Sequence, residues 1–369
     1  MGLASRRAPG PAAGGVKYVY IPAPNPSGMH CPVCGHDCVT DAPALLAELP
    51  GRFAPCPDCM GLVYDKRSPP PDIDTAEPCP SCGKRFIDEV FAAIYRIMAE
   101  EGDLAGTEPL AAAATPLVHP GTALRRAPYL PPRSLVLLSR SVGERAAARL
   151  VGEVPEVRGV VRTDAGTPGV RDTDAAPKEY TLLAGCDVRA DVFATRRGPI
   201  VVYKQQSVLH VEFPRGRNEK ILSLEREIAR HRPQTFVDAC SGAGTLGLAA
   251  ARAGVPRVIA NDAWFAAACW TACNLRVNRE FLGIEEVTMH RAYDDLRRRP
   301  VARDPILVAT AAGPQEIEVY QGDLRLLPGV LPPGIDLTAL DLFEKEDAGK
   351  ADRITRAWLT RVGGAIFIP

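Results

Sequence analysis

Residues 235–262 constrain this chain more than any other stretch. They read T-F-V-D-A-C-S-G-A-G-T-L-G-L-A-A-A-R-A-G-V-P-R-V-I-A-N-D. An apolar strand runs into a glycine-rich turn, an alanine-rich helix follows, and a second strand closes on an acid. Gly242, Gly244 and Gly247 let the backbone bend tightly and approach a ligand where a Cβ would clash, and Asp262 stands where a ribose hydroxyl would need an acceptor. This is the outline of a nucleotide-cofactor pocket in an α/β sheet.

The three glycines satisfy G-x-G-x-x-G, so a nicotinamide or flavin dinucleotide is the first candidate. Asp238 argues against it. An acid at the end of the strand, four residues before the first glycine, suits a cofactor with a cationic amino-acid end and no pyrophosphate. V-D-A-C-S-G-A-G-T-L-G followed by V-I-A-N-D resembles motifs I and II of class I S-adenosylmethionine-dependent methyltransferases. The resemblance implies a Rossmann-like sheet with helices on both faces. It implies that Asp238, Ser241, Gly242 and Gly244 line the turn around the cofactor and that Asp262 holds the ribose. Glu286–His290 and Glu316–Asp323 are both candidates for the third strand, and Asp323 resembles the acid at the adenine end.

I-D-L-T-A-L-D-L-F is an apolar strand ending at Asp341, the family's motif IV. There Asp341 would orient the acceptor or take its proton, and Phe343 would stack on it. The Pro-Pro that often follows in amine-modifying relatives is absent. A helix from Lys350 to about Val362 and the strand A-I-F-I then bring the sheet to its fifth strand. The family's sixth and seventh strands are absent, or replaced by the segment Ile200–Phe213. That segment reads as a hairpin joined through Lys204–Ser207, and is expected to pack beside the sheet.

Seven of the eleven cysteines lie between Cys31 and Cys82. Cys31 with Cys34, Cys56 with Cys59 and Cys79 with Cys82 form three C-x-x-C pairs. In a chain expected to be cytoplasmic this clustering favours zinc over disulfides. Two intervening residues let both thiolates reach one tetrahedral ion. Cys38 with His30 or His36 would complete a second set of four, leaving one zinc or two and the pairing open. The expected role is to hold together a zinc-ribbon-like segment with too few apolar residues to fold alone.

The chain therefore divides into a flexible tail (1–15), a zinc-binding module ending in a helix (16–102), and a linker rich in Ala, Pro and Gly (103–133). An accessory α+β segment with the hairpin (134–232) and the cofactor-binding domain (233–369) follow. Lys plus Arg equals Asp plus Glu at 44 each, so any basic surface must be local; nine arginines against four acids between Arg125 and Arg171 are the candidate. No apolar run suits a membrane span or a signal peptide, which predicts a soluble, cytoplasmic protein. A separate zinc module implies a macromolecular acceptor, with RNA (tRNA or rRNA) ahead of protein. Transfer of the cofactor's aminocarboxypropyl group, and a non-catalytic RNA-binding protein with a degenerate methyltransferase fold, are the alternatives. Nothing in the sequence indicates an oligomeric state.

Overall fold

The computed structural model describes residues 29–71, 77–342 and 348–369. The expected tail, the start of the zinc module and Phe343 lie outside these residues. In the head, α1 (Ala42–Glu48) follows the first cysteine knuckle, and β1 (Arg85–Phe86) leads into α2 (Ile87–Glu100). Val90, Phe91, Ile94, Ile97 and Met98 recur at helical spacing and form the buried stripe of α2. Gly102, with φ +81°, follows the helix end in the left-handed conformation. At the other end Asp88 and Glu89 are buried, and their carboxylates accept from the Tyr64 amide at 2.9 Å and the Leu62 amide at 3.2 Å.

Residues 103–133, expected to be a linker, are built into the fold. They contribute β2 (Thr115–Val118) and β3 (Tyr129–Leu130), and β3 pairs with β1. Leu104, Leu110, Leu117 and Leu130 are buried. They enter the core one at a time, without the period that would mark a helix or strand. β4 (Leu135–Ser139), α3 (Glu144–Glu153), β5 (Val157–Arg162) and β6 (Thr181–Gly185) follow, giving a four-stranded sheet in the order β2-β4-β5-β6. Its core includes α2 and α3.

β7 (Val188–Thr195) and β8 (Gly198–Gln205) form a separate antiparallel hairpin. Its turn lies at Arg196–Arg197, closed by Gly198 at φ +109°, and not at Lys204–Ser207 as the apolar alternation suggested. Lys204 and Gln205 belong to the strand itself. α4 (Glu219–His231) starts at Asn218, whose side chain accepts from the Lys220 and Ile221 amides at 3.0 and 3.2 Å.

The second sheet is built from β9 (Thr235–Asp238), α5 (Thr245–Ala253), β10 (Arg257–Asp262), α6 (Phe265–Val277), α7 (Arg279–Leu282) and β11 (Glu286–Met289). Then come α8 (Tyr293–Arg297), β12 (Ile306–Ala312), β13 (Glu316–Gln321), β14 (Leu337–Ala339), α9 (Ala348–Arg361) and β15 (Ala365–Phe367). Its order is β11-β12-β13-β10-β9-β14-β15. β13, β10, β9, β14 and β15 are parallel, the 3-2-1-4-5 arrangement of a doubly wound sheet. Of the two third-strand candidates, Glu316–Gln321 takes the parallel place. Glu286–Met289 instead pairs antiparallel with β12 and extends that edge.

Side chains alternate across the sheet: Phe236, Val258 and Ala260 face α5 and α6, whereas Val237 and Ile259 pack with Trp358 of α9. This is the expected α/β sheet with helices on both faces. Among the described residues no helix is long and apolar enough to cross a membrane.

The hairpin joins the helical face of this sheet and not the sheet itself. Asn274 on α6 and Asn278, which caps its carboxyl end, are both fully buried and grip β8. The Asn274 side chain accepts from the Tyr203 amide at 2.8 Å and donates to the Tyr203 carbonyl at 2.9 Å. Asn278 does the same with Val201, at 2.9 and 2.6 Å. Four residues of helix advance about 6 Å and two of strand about 6.7 Å, so an N-x-x-x-N pair can match alternate residues of a strand edge. Asn278→Leu would leave the Val201 amide and carbonyl buried without partners. Urea unfolding should show a loss of about 2–4 kcal/mol, and a loss below about 0.5 kcal/mol would show that the clamp does not hold the hairpin.

Candidate cofactor pocket and cysteine clusters

A cavity of about 770 Å³ opens at the carboxyl ends of β9, β10, β13 and β14. The strand order reverses between β9 and β14, and such a switch point is where doubly wound sheets bind ligands. Asp238, Ser241, Gly242, Asp262, Asp323 and Asp341 all line it.

The turn after β9 is shaped by two of its three glycines. Gly242 and Gly244 are left-handed, with φ +53° and +87°. A Cβ on Gly244 would come within 2.9 Å of Thr271 Cγ2, whereas one on Gly242 would meet nothing within 4 Å. Gly247 lies within α5, and a Cβ there would have only ordinary contacts, at 3.7 Å or more. The turn is fixed by the Ser241 amide donating to the Asn261 carbonyl at 2.8 Å and by Thr271 Oγ1 donating to the Gly242 carbonyl at 3.0 Å. Asn261 Nδ2, also buried, donates to the Ala239 and Gly322 carbonyls at 3.1 and 2.9 Å, tying the ends of β9, β10 and β13 together.

The acids differ in their surroundings. Asp238 is fully buried; one oxygen accepts from the Gly247 amide at 3.0 Å, and the other, Oδ1, has no partner among the described residues. Burial first, and Asp341 next, push its pKa up to about 8. Asp262 accepts from the Gly242 amide at 3.0 Å and the Trp264 amide at 2.9 Å. Burial raises it to about 6 despite those two bonds. Neither acid pairs with a basic side chain among the described residues.

Asp341, by contrast, is paired with Lys220 of α4. Burial works against the Lys220 ammonium, but Asp341 more than offsets this and holds its pKa above the usual lysine value. Asp323 accepts from the Arg325 amide at 2.8 Å, from Arg325 Nε at 3.0 Å and Nη2 at 2.5 Å, and from Thr173 Oγ1 at 2.6 Å. A carboxylate offers about four acceptor positions, so Asp323 is filled. Burial opposes its charge, but these bonds hold its pKa below the usual carboxylate range.

The opposite wall was not legible in the sequence. It comes from residues 167–173, between β5 and β6, and from Leu209, His210 and the Lys204–Glu212 ion pair at and after the end of β8. No local motif marks Thr173, Lys204, Glu212 or Lys220; the chain's path alone brings them to the pocket.

The cysteines form two groups of four, each with its sulfurs within 4.8 Å of one another. Cys56, Cys59, Cys79 and Cys82 make a self-contained ribbon. Sulfur separations of 3.6 Å (Cys56–Cys79), 3.7 Å (Cys56–Cys59) and 3.4 Å (Cys59–Cys82) compare with about 3.8 Å around a tetrahedral zinc at ~2.3 Å. These residues fit the metal. The Gly83 amide bonds the Cys79 carbonyl at 2.7 Å in a knuckle whose glycine has φ +68°.

In the other group Cys31, Cys34 and Cys38 are joined by Cys186, just before β7. His30 is exposed beside Asp37, and neither it nor His36 enters the set, correcting the expected histidine ligand. Cys186 was missed because 155 residues separate it from Cys31. Only its being left over from the C-x-x-C pattern hinted at a role.

Fold and pocket together define a doubly wound α/β protein with a ligand site at its switch point. No protein-family model matches the chain, and no curated protein does. Structures similar to it include Trm1 from Pyrococcus horikoshii in complex with S-adenosyl-L-methionine, at 18% identity over 41% of this chain and 36% of that one, with a TM-score of 0.30. Trm5b from Pyrococcus abyssi is similar at 14% identity over 63% and 56%, with a TM-score of 0.35. TYW2 from P. horikoshii in complex with MeSAdo is similar at 17% identity over 68% and 69%, with a TM-score of 0.33. The match thus spans little more than a third of the first of these and little more than half of the second. Likeness at this level carries no weight for the chemistry.

The glycine geometry gives a contrast that can be measured. Gly244→Ala combines a left-handed backbone with a clash against Thr271 and should cost about 2–4 kcal/mol in denaturant unfolding. Gly247→Ala should stay within about 1 kcal/mol of the parent or gain stability. Equal losses at both positions would contradict this account of the turn.

Proposed function

We propose that the chain is an S-adenosylmethionine-dependent methyltransferase with an RNA acceptor. The reading is carried by one observation: a buried carboxylate, Asp238, has an unpartnered oxygen at the glycine turn and forms no ion pair among the described residues. A ligand with a cationic amino-acid end supplies what is missing, and pyrophosphate would be repelled.

Bound there, the cofactor supplies an electrophilic methyl group on a cationic sulfur. Asp238 Oδ1 would accept from its ammonium. Each oxygen of Asp262 accepts one backbone bond and keeps a lone pair for a ribose hydroxyl. Asp323, already filled, is assigned to holding Arg325 and Thr173 in the wall at the adenine end, rather than to contacting the adenine amine. Asp341, beside Lys220, orients the acceptor and takes its proton if one must leave. Phe343, outside the described residues, is the proposed stacking partner. Most of the rate gain then comes from positioning.

RNA as the acceptor is supported by the cysteine-rich head in front of the core, since a small metabolite needs no separate recognition module. The arginine-rich stretch supports it less than its composition implied. Arg145 and Arg149 are engaged with Glu101, and Arg149 also with Glu100 and Glu153, while Arg158 is buried. Incubation with radiolabelled cofactor and either total RNA or cell lysate tests the acceptor: label is expected in RNA, and label confined to protein would refute that half of the proposal.

Asp238 also sets a pH dependence. It must be ionised to receive an ammonium, and its pKa in the empty protein is about 8 against an ordinary 3.8. Binding therefore expels a proton below about pH 8. Affinity for S-adenosylmethionine should rise with pH, by up to about tenfold per unit, and level off above about pH 8. Without cofactor the sign for folding is opposite, because the unfolded chain ionises this group freely and the folded one resists. Stability from this group falls as pH rises from 3.8 towards 8. Asp238→Asn should then unfold at a higher temperature than the parent at pH 8, yet give no calorimetric signal with the cofactor. An Asn variant that binds as well as the parent would sink the assignment.

A further inference from the structure

Arg158 on β5 is a buried cation without an ion pair among the described residues. It is 3% exposed, and its Nε has no hydrogen-bond partner among them. Elsewhere this protein pairs its buried arginines with acids: Arg85 with Glu156 at 2.6 Å, and Arg189 with Asp191 at 2.6 Å. A buried charge left alone is costly, so one expects an anion beside it. Asp187, buried nearby, keeps an unpartnered Oδ1 of its own; its Oδ2 accepts from the Ser207 amide at 2.7 Å, and no ion pair joins it to Arg158 among the described residues.

Arg158 adjoins the cysteine group: its carbonyl accepts from the Cys186 amide at 2.8 Å. Arg133 adds a second guanidinium, with Nη2 4.0 Å from Cys38 Sγ. Cys31, Cys38 and Cys186 are themselves buried within the main apolar core, at 2%, 8% and 2% exposure.

We propose that Cys31, Cys34, Cys38 and Cys186 bind zinc as a tetrathiolate with Arg158 as its buried counter-ion, and that this centre joins the cysteine-rich head to the hairpin. Zinc displaces the four thiol protons, and four thiolates around one divalent ion leave a net charge of −2. The two arginines balance it. The ribbon of Cys56, Cys59, Cys79 and Cys82, only half-buried, needs no such partner, because water reaches it.

The position of Cys186 gives the joint its consequence. The next residue, Asp187, anchors Ser207; the Val208 carbonyl accepts from Trp264 Nε1 at 2.8 Å; and Leu209 and His210 line the cavity. On the head side, the Thr40 amide donates to the Tyr203 hydroxyl at 2.9 Å.

Elemental analysis of the full chain should find two zinc ions, falling to one in Cys186→Ser and to one in Cys79→Ser. Limited proteolysis within residues 29–49 should accelerate in the first variant and not in the second. Arg158→Gln should surrender one of its two ions to a competing chelator at about 10–100-fold lower chelator concentration than the parent, while Arg158→Lys, which keeps the charge, should stay close to it. If Cys186→Ser does not fold, the Gln and Lys pair decides. A parent with one ion, a Cys186→Ser variant with two, iron in place of zinc, or Gln and Lys variants that release metal alike would each overturn the proposal.

Discussion

The architecture turns on two side-chain amides. Asn274 and Asn278 act as a surrogate strand, satisfying alternate residues of β8 from a helix belonging to another sheet. Without them the edge of β8 would be a row of buried, unpaired backbone groups, a cost no apolar contact can offset. Because α6 follows directly from β10 and its acid, the same clamp sets the distance between the glycine turn and the hairpin. Pocket width is thus determined at a contact that touches no ligand.

Within that frame the pocket is electrostatically unfinished. Asp238 and Asp262 lie under low-dielectric cover with only backbone amides to bond, whereas Asp323 and Asp341 are matched by Arg325 and Lys220. Compensated acids build walls. Uncompensated ones raise the energy of the empty protein unless they take up a proton or a positively charged guest. The contrast also explains why the glycine pattern alone misleads: dinucleotide and sulfonium cofactors both need a tight turn, and the acid before it separates them.

How much of this could be read from the residues depends on distance along the chain. The β9–α5–β10 unit was legible because strand, turn and helix signals are local and agree with one another. The two C-x-x-C pairs of the ribbon were legible for the same reason. Cys186 was not, since a ligand 155 residues away leaves no spacing to recognise. The stretch 103–133 passed for a linker because its buried leucines arrive singly among prolines and glycines. The hairpin was shifted because polar Lys204–Ser207, between the apolar runs Ile200–Tyr203 and Val208–Leu209, reads as a turn, while Arg196–Arg197 offers only the following glycine as a turn signal. Nor does the spacing of Asn274 and Asn278 announce their bonds to β8, since the strand they hold lies more than seventy residues earlier.

The segment 167–173 leaves one sheet, crosses to the other and comes to rest with Thr173 on Asp323. The cavity is therefore not a property of the stretch 233–369, although every glycine and acid that first suggested it lies there. Cut free and placed behind a different partner, that stretch would carry an open trough with its acids exposed to water. Recombination could not easily pass it between proteins, and drift in the accessory sheet would register as a change in the shape of the cavity.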